Sequence, residues 1–416
     1  MSRVRMGFIG AGFIARFQCL ALKQVRGVDL VGVVSPNRAQ ELVDHVNAEG
    51  LGPCVRYETI TELCHHCDVV GIFAPNYLRE EHVLEVCDAK RAGAQLTGVI
   101  CEKPLAQTVA GARKLVAMAA EVGLKTFYFE NQLHMKPIRQ QMEQLRPQQE
   151  VMGPLTLVRS AEEHGGPHEP WFWDPVRQGG GVLSDMGCHS IAVGWFALTP
   201  YGKPLTFLEP ISVSCELGLL KWGQPKWRQD LIDRMGVDYG KTPAEDFATG
   251  VVTFRNPETG QHVKAQFTNS WMYEKQGLRL FMDGMGPGYA FEVDSLKSPV
   301  NIFIGDAAAE AVGDSETALE KSTASRGLLV IEPNEADLYG YVDEMENVRD
   351  CLLKGEEPLA DWSYGVEIVR LVAAAYMAGE GGVTVDLTDS AVNEELETYV
   401  SLIAQGRGRE VLYVPE

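Results

Sequence analysis

Long apolar runs are missing from this sequence. No stretch of about 18 apolar residues is present that would cross a bilayer, and the first five residues lead straight into a predicted strand, without the apolar segment of a signal peptide. Nine cysteines in 416 residues, without such a segment, indicate reduced thiols rather than disulfides. We therefore expect a cytoplasmic protein with no membrane partner.

Positive charge is also scarce. The chain has 37 Lys and Arg against 57 Asp and Glu, a formal net charge of -20 and a pI of about 4.9. Because this charge repels phosphates, we expect neither nucleic acid nor an anionic membrane surface as a partner. The hydrophobic content of 45% and the length of 416 residues predict two globular domains.

The first motif is a glycine-rich turn between a strand and a helix. Residues 4–9 form a buried apolar run, and Gly10, Gly12 and Ala15 follow with the spacing G-x-G-x-x-A. Gly10 permits the tight turn, Gly12 lets a pyrophosphate approach the backbone, and Ala15 allows close packing of the helix. A second strand over 29–34 completes a βαβ unit, which favours dinucleotide binding over a purely structural turn.

The end of that second strand bears on the choice of cofactor. An NAD site usually has Asp or Glu here, which accepts a hydrogen bond from the ribose 2′-hydroxyl. This chain has Ser35 instead, with Arg38 close by. A hydroxyl and a guanidinium suit a 2′-phosphate, so the cofactor is NAD(P), with NADP slightly favoured. In the alternative, Arg38 stacks on the adenine or faces solvent.

Strand and helix patterns alternate up to residue 129, which predicts a doubly wound parallel sheet in a dinucleotide-binding domain over residues 1–135. The strand over 98–102 ends in Glu102, Lys103 and Pro104. Ligands of such sheets bind outside the carboxyl ends of the strands, where a partly desolvated lysine can exchange a proton near neutral pH. A solvated lysine in a turn is the alternative.

A second, α+β domain is predicted over residues 136–416. Its first strand leads into a loop that contains His164 and His168, and three aromatic residues follow up to Trp173. Aromatic rings stack on sugar C–H faces while polar groups bond hydroxyls, so this loop favours a carbohydrate pocket. A rim of packed tryptophan is the alternative.

Two histidine-containing segments raise the question of a metal. Residues 64–67 read Cys-His-His-Cys but lack a second cysteine pair. His164 and His168 lie in a Gly-Pro loop, where their spacing does not hold both on one face. We predict no metal site, and a metal-dependent enzyme using these two histidines remains an alternative that elemental analysis would test.

Three consecutive glycines, at 179–181, open a predicted helix that ends at Leu198. Asp185 and His189 are four residues apart and therefore share one helical face. The carboxylate can then hold the orientation and tautomer of the imidazole. A core histidine bonded to a backbone carbonyl is the alternative.

The rest of the chain predicts an open, mostly antiparallel sheet, in which Trp271 ends one strand and is a candidate to line the pocket. One face of such a sheet would expose a large apolar patch, so we expect a homodimer or homotetramer through it. Residues 221–244 and 305–326 are interpreted as insertions. Helices are predicted over the ranges 336–354, 364–378 and 392–403.

The glycine motif at residues 10–15, the Ala74-Pro75-Asn76 turn and the Glu102-Lys103-Pro104 strand end together resemble one family: glucose–fructose oxidoreductase, inositol dehydrogenase and rhizopine catabolism proteins (Gfo/Idh/MocA). The resemblance extends to about residue 385. It implies a Rossmann domain followed by an α+β domain, and an NAD(P)-dependent dehydrogenase of sugars, glycosides or polyols. Arg79 stands where many members have a histidine, so the role of that histidine is not transferred.

The resemblance also implies roles for individual residues. Lys103 exchanges the hydroxyl proton, His189 shares or relays it, and Asp185, in the family's Asp-x-Gly-x-His pattern, orients His189. The expected cofactor-binding residues are Gly10, Gly12, Phe13, Ile14, Ser35, Arg38, Ala74, Pro75, Asn76, Glu102 and Lys103. The expected substrate-binding residues are Lys103, Asn131, His164, Trp173, Asp185, His189 and Trp271.

Two further functions remain open at this point. In an NAD-dependent glycosidase, transient oxidation enables elimination of the aglycone, and net consumption of NAD(P) would exclude it. A non-catalytic regulator would bind the dinucleotide without turning over any sugar, and the presence of Lys103, Asp185 and His189 together argues against it.

Overall fold

The structure is a computed structural model that describes residues 3–274, 278–295, 300–304, 327–331 and 334–416. The predicted insertion at 305–326 lies outside these residues. The chain divides into two compact units, of which the first comprises Met1–Lys136 and Ala336–Val369, and the second Pro137–Glu335 and Arg370–Glu416. The first unit thus includes a later segment that the predicted boundary at 135/136 assigned to the second domain.

The strands within the described residues lie in three sheets. In chain order they are β1 Val4–Ile9, β2 Val28–Val34, β3 Val55–Arg56, β4 Val69–Ile72, β5 Gly98–Glu102, β6 Lys125–Phe129, β7 Leu157–Glu163, β8 Glu209–Gly218, β9 Phe247–Arg255, β10 His262–Ser270, β11 Arg279–Gly286, β12 Tyr289–Asp294, β13 Val300–Ile304, β14 Gly327–Ile331 and β15 Val385–Asp386.

Helices accompany the strands in both units. In chain order they are α1 Phe13–Leu22, α2 Ala39–Ala48, α3 Ile60–Cys64, α4 Arg79–Arg91, α5 Val109–Glu121, α6 Lys136–Met152, α7 Pro170–Trp173, α8 Pro175–Gln178, α9 Cys188–Leu198, α10 Pro225–Met235, α11 Glu335–Leu338, α12 Tyr341–Lys354, α13 Trp362–Gly381 and α14 Ser390–Thr398. No helix in the described part of the chain is both long and apolar enough to cross a bilayer.

The first unit contains a six-stranded sheet in the order β3-β2-β1-β4-β5-β6, with every neighbouring pair parallel. Strands β4 and β5 are buried on both faces, apart from Glu102 at the end of β5, because helices cover the sheet on both sides. This is the doubly wound architecture that the sequence predicts.

The later segment of the first unit packs directly on its sheet. The Trp362 indole donates to the Phe127 carbonyl at 3.1 Å, and the Tyr128 N–H donates to the Ala360 carbonyl at 3.0 Å. On α12, the Tyr341 ring meets the edge of the Phe17 ring at 4.8 Å between centroids. The segment therefore completes the core of this unit.

The second unit is built on a seven-stranded sheet in the order β12-β11-β7-β10-β9-β8-β15. It is mostly antiparallel, and β7 and β10 form its parallel pair. All eleven residues of α9 are buried, and a Cβ added to Gly194 would lie only 3.1 Å from the Ala265 Cβ on β10. Small residues thus let α9 lie close against one face of the sheet.

The opposite face is mixed in character, which corrects the expectation of a large apolar patch. Gln266 on β10 lies between Val251 on β9 and Arg159 on β7. Arg159 forms an ion pair with Asp283 on β11. Alternation of side chains along each strand places charged and hydroxyl-bearing groups among the half-buried apolar ones. The expected oligomer remains a prediction.

Three predicted helices differ from the structure. The helix expected over 336–354 is interrupted by Gly340, whose φ is +88°. The helix expected over 392–403 ends at Thr398, because the Leu402 and Ile403 N–H groups donate to the Glu380 carboxylate at 3.0 and 3.1 Å. The helix expected after the glycines begins with a π-helical turn, described below.

Candidate active site

The predicted cofactor-binding residues of the first unit come together at one edge of the parallel sheet. Ile9 at the end of β1 pairs with Ile72 on β4, which pairs with Cys101 on β5. The three motifs that follow these strands, at 10–15, 74–76 and 102–104, are therefore neighbours. In a parallel sheet this is the edge at which ligands bind.

The glycines of the first motif meet different requirements. Gly10 has a φ of +112°, and a Cβ there would lie 2.8 Å from the carbonyl carbon and oxygen of Phe73. Only glycine fits at this point. A Cβ on Gly12 would meet nothing within 4 Å, and Gly12 is the N-cap of α1 without a capping side chain.

The N-terminus of α1 thus presents uncapped N–H groups to open space. Such a terminus attracts anions through its dipole and its free donors. Ala15 is fully buried, as close packing of the helix on the sheet requires, and Phe13 at the start of the helix is 37% exposed. The residues present therefore fit the pyrophosphate of a dinucleotide.

The end of β2 carries no carboxylate. The Gly10 N–H donates to the Val34 carbonyl at 2.8 Å, which brings this strand end next to the glycine turn. The Ser35 hydroxyl donates to the Asn37 carbonyl at 2.6 Å. Arg38 is exposed, at a φ of 58°, and is the N-cap of α2. The preference for NADP is still a prediction.

The Glu102-Lys103-Pro104 strand end is held by several buried groups. The Lys103 N–H donates to Glu102 Oε2 at 3.3 Å, and Gln18 Nε2 on α1 donates to Glu102 Oε1 at 3.4 Å. The guanidinium of Arg79, which is 2% exposed, donates to the Pro104 carbonyl. Arg79 therefore fastens the chain just after Lys103, a role that its position in the sequence did not reveal.

Asn131, a predicted substrate-binding residue, is the second residue after β6 and is 9% exposed. Its Nδ2 donates to the Tyr339 carbonyl at 2.8 Å, in the later segment of the first unit. The side chain thus links two parts of that unit, and its contact with a substrate stays a prediction.

In the second unit, Asp185 and His189 lie on one continuous helical segment. Residues Leu183–Gly187 form a π-helical turn that continues into α9. Asp185 is 5% exposed and His189 is 4% exposed. Single π-helical turns within helices are rare and occur frequently at functional sites. Residue types alone predict an ordinary α-helix here, because they do not specify this hydrogen-bond register.

Glu245 and Tyr376 anchor the start of this segment. Glu245 Oε1 accepts hydrogen bonds from the Gly181 and Leu183 N–H groups, each at 3.0 Å, and from the Tyr376 hydroxyl at 2.6 Å. The Tyr376 oxygen in turn accepts from the Gly181 and Ser184 N–H groups at 3.1 and 3.2 Å. The N–H groups that begin the helix are thereby satisfied by side chains.

Burial dominates the acidity of Glu245, which is fully buried. Loss of hydration raises the pKa of Glu245 to about 7, although the hydrogen bonds from Tyr376, Leu183 and Gly181 oppose the shift. Its Oε2 has no hydrogen-bond partner. Sequence reasoning missed Glu245, and the available signal was an acidic pair, Glu245-Asp246, at the start of an apolar strand.

The loop containing His164 is backed by a cluster of aromatic rings. Trp173 lies 4.9 Å from Trp222, 5.1 Å from Trp271 and 5.9 Å from Tyr239, between ring centroids. Trp173 and Trp271 are 1% and 0% exposed. Contact of either ring with a sugar stays a prediction, and the structure adds that both are fully buried in this cluster.

His164 is 2% exposed, and its Nδ1 accepts a hydrogen bond from the Gly166 N–H at 2.9 Å. This bond fixes Nε2 as the nitrogen that carries the proton in the neutral ring. Among the residues described, no group of three or more His, Cys, Asp or Glu side chains is arranged to hold a metal ion.

The first predicted insertion, 221–244, contributes to the aromatic cluster. The carboxylate of Asp246 accepts hydrogen bonds from the backbone N–H groups of residues 220, 221 and 222, at 2.7, 2.8 and 2.7 Å. The Trp222 indole donates to the Trp271 carbonyl at 2.8 Å. Asp246 therefore fixes the start of the insertion behind the His164 loop.

Comparison with known proteins adds two family matches. Residues 4–130 match the family model described as "Oxidoreductase family, NAD-binding Rossmann fold". Residues 146–285 match the model of the "GFO/IDH/MocA C-terminal domain".

Curated relatives include a 1,5-anhydro-D-fructose reductase of Ensifer adhaerens, 27% identical over 53% of this chain and 62% of the relative. Another is a glucose-6-phosphate 3-dehydrogenase of Bacillus subtilis, 23% identical over 46% of this chain and 53% of the relative. The matched region thus spans only about half to three fifths of these relatives' length.

Solved structures resemble nearly the whole chain. GenD2 from gentamicin A biosynthesis, in complex with NAD, has a TM-score of 0.72 and 22% identity, covering 93% of this chain and 97% of its own. A putative myo-inositol dehydrogenase of Sinorhizobium meliloti has a TM-score of 0.66 and 18% identity, covering 92% and 99%. At these identities the similarity establishes the fold.

Proposed function

The chain belongs to the Gfo/Idh/MocA oxidoreductase family, and from this premise we propose that it catalyses reversible hydride transfer between a nicotinamide dinucleotide and a carbinol carbon of a sugar, glycoside or polyol. The observation that carries the proposal is the edge of the first sheet. There the uncapped N-terminus of α1 and the strand end with Lys103 are adjacent.

The proposed chemistry divides between cofactor and protein. The bound nicotinamide supplies the hydride acceptor. Lys103 takes the hydroxyl proton of the substrate as the carbinol is oxidised and returns it in the reverse direction. The Lys103 N–H donates to the Glu102 carboxylate, and the Arg79 guanidinium donates to the carbonyl of the next residue, Pro104. These bonds fix the backbone from which the Lys103 side chain extends.

The Asp185–His189 pair is proposed as the second proton-handling group. The buried helix start, anchored by Glu245 and Tyr376, keeps both residues on a rigid element. Asp185 orients the imidazole, and His189 shares or relays the proton.

A carbohydrate substrate is supported by the known relatives. A reductase of 1,5-anhydro-D-fructose and a dehydrogenase of glucose 6-phosphate act on sugars. In this chain, the His164 loop with its aromatic support is proposed to bind the sugar, and NAD or NADP to be the cofactor.

A panel of sugars, glycosides and polyols tests the proposal, with NAD and NADP supplied separately and reduced nicotinamide followed by absorbance. We expect net reduction with at least one compound and loss of that activity in Lys103→Met. Release of an aglycone without net reduction would identify a glycosidase instead. Binding of NAD(P) without turnover of any compound would point to a regulator and overturn the proposed activity.

A further inference from the structure

Asn269 is a fully buried amide on β10 that contacts the helix carrying His189. Its Nδ2 donates to the Ser190 Oγ at 2.9 Å and to the Glu162 carbonyl on β7 at 3.4 Å. Ser190 directly follows His189 in the chain and is 1% exposed. Because β7 and β10 are neighbours in the sheet, a single side chain joins α9 to two adjacent strands.

Ser190 is held a second time, through its backbone. The hydroxyl of Ser160, a buried residue on β7, donates to the Ser190 carbonyl at 2.8 Å. The residue next to His189 is thus bound to the sheet by both its side chain and its main chain.

These hydrogen bonds specify the placement of α9 more strictly than apolar packing does. All eleven residues of the helix are buried, and the run from Ile191 to Leu198 contains neither a charged side chain nor a hydroxyl. Apolar burial is non-directional, whereas a hydrogen bond requires a defined distance and angle. A slip of the helix by one residue would turn the His189 side chain by about 100°. The bonds at Ser190 oppose such a movement.

The Asn269 amide is itself only partly satisfied. Its Oδ1 is buried and has no hydrogen-bond partner among the described residues. If the amide were turned over, Oδ1 would oppose the Glu162 carbonyl, which is also an acceptor. A Cβ added to Gly187, in the π-helical turn, would lie 3.6 Å from this oxygen. An unpaired buried acceptor lowers stability, so stability alone does not account for an amide at this position.

We propose that Asn269 positions His189 for proton transfer by holding Ser190 from the sheet. The same end of β10 also contacts the loop proposed to bind the sugar, because the carbonyl of the next residue, Ser270, accepts the His164 N–H at 3.1 Å. Asn269 is a positioning residue, and its effect on turnover rests on the proposed role of His189.

Nuclear magnetic resonance of selectively labelled histidine tests the positioning without relying on activity. The chain has nine histidines, and the ring resonance of His189 is assigned by its loss in His189→Ala. We expect this resonance to shift or broaden in Ser190→Ala and in Asn269→Leu, because the ring is then no longer held in one orientation.

The matched control is Asn256→Ala, which removes another buried asparagine from the turn between β9 and β10. Asn256 is 5% exposed, and its Oδ1 accepts the N–H groups of residues 258 and 259 at 2.9 and 3.2 Å. The control loses two hydrogen bonds at the opposite end of the same strand pair. It should leave the His189 resonance unchanged even where it lowers the melting temperature.

Steady-state kinetics separate the two contacts of the amide. Ser190→Ala loosens His189 alone, so kcat should fall about tenfold while KM for the sugar stays within about twofold. Asn269→Leu should lower kcat as much and also raise KM, because it releases the Glu162 carbonyl on the strand that leads into the His164 loop. The double variant should have the kcat of Asn269→Leu alone, since both changes break one link.

Several outcomes overturn the proposal. An unchanged His189 resonance in Ser190→Ala and Asn269→Leu would show that the ring is held by other groups. Multiplication of the two effects on kcat would show that Asn269 does not act through Ser190. If Asn269→Leu does not fold, Ser190→Ala, which removes a single oxygen atom, still decides. Absence of any sugar turnover in the parent would defeat the proposed function, while the resonance would still decide whether Asn269 holds His189.

Discussion

At the scale of single residues, Lys103 is the side chain on which the proposed chemistry depends most. We predict that Lys103→Met lowers turnover by about 10²–10⁴-fold, the usual contribution of a positioned acid–base group. Affinity for NAD(P), measured by fluorescence, should change little because we propose that the pyrophosphate binds at the turn following β1 and not at Lys103. His189→Ala should cost a similar or somewhat smaller factor, and Asp185→Asn less again, since Asp185 acts through His189.

A suitable control for these variants is Lys114→Met, because Lys114 is an exposed lysine of the same unit, paired with Glu80. It should keep parental turnover. If Lys103→Met also keeps near-parental turnover with an unchanged pH profile, then Lys103 is structural, and the proton passes through His189 or water.

Ser35 and Arg38 carry the prediction on cofactor choice. Ser35 brings no negative charge to the end of β2, and exposed Arg38 can pair with a 2′-phosphate. We predict that NADP is used as well as NAD or better, and that Ser35→Asp shifts the ratio of kcat/KM values towards NAD. Arg38→Ala should weaken the use of NADP more than that of NAD. A parent that strongly prefers NAD, unaltered in Arg38→Ala, would contradict this prediction.

At the scale of elements, the helical segment with Asp185 and His189 depends on one titratable anchor. The pKa of Glu245 is raised to about 7, above the value of about 4.3 for an unfolded chain. A raised pKa contributes stability that is complete below the unfolded value and is lost as the pH rises through the folded value. Stability should therefore fall as the pH rises from about 4.3 to about 7, and ionisation of Glu245 should loosen the start of the helix.

Hydrogen exchange of the Gly181, Leu183 and Ser184 amides measures this directly, after correction for intrinsic rates. We predict that their protection falls as the pH rises through about 7 in the parent, and that it varies less in Glu245→Gln. Glu216→Gln, an exposed position on β8, is the matched control. Equal pH dependence in the parent and in Glu245→Gln would show that Glu245 does not govern this turn.

The elements that could be predicted from the sequence are those specified by neighbouring residues. The apolar runs of β1 and β5, ended by Gly10 and Pro104, give the parallel sheet and its ligand-binding edge. The features that could not be predicted depend on contacts between residues that are far apart in the chain. A side chain at Gly340 would lie 2.3 Å from the Asn131 carbonyl oxygen, so the break between α11 and α12 is set by a residue some 200 positions away.

The residues of the candidate site likewise divide into those that could be predicted from local sequence and those that could not. Lys103, Asp185 and His189 lie in short motifs, so they could be predicted as site residues from the sequence. Gln18, Arg79 and Glu245 carry no motif, because each acts through a partner that is distant in the chain. Helix α6 is also hard to predict, since most of its side chains are polar and it contains Pro147.

At the scale of the whole molecule, we predict a homodimer or homotetramer through the open face of the seven-stranded sheet. The mixed character of that face, with Gln266, Thr268 and the Arg159–Asp283 pair, suits a polar interface that salt weakens. Thr268→Arg should shift the mass measured by light scattering towards the monomer. His262→Arg, at the exposed end of the same strand, should leave it unchanged, and a monomeric parent at micromolar concentration would contradict the prediction.

The first unit is built from two separate segments of the chain, so it can be completed only late in translation. A ribosome adds about 5–20 residues per second, so residues 336–369 emerge roughly 10–50 s after residue 136. Until then the nascent chain lacks the hydrogen bond from the Trp362 indole to the Phe127 carbonyl and the ring contact between Tyr341 and Phe17. Ribosome-arrested chains ending at residue 335 should therefore be cleaved readily within residues 1–136, whereas resistance equal to that of the finished protein would show that the early segment matures alone. The dinucleotide-binding half, although translated first, is completed late.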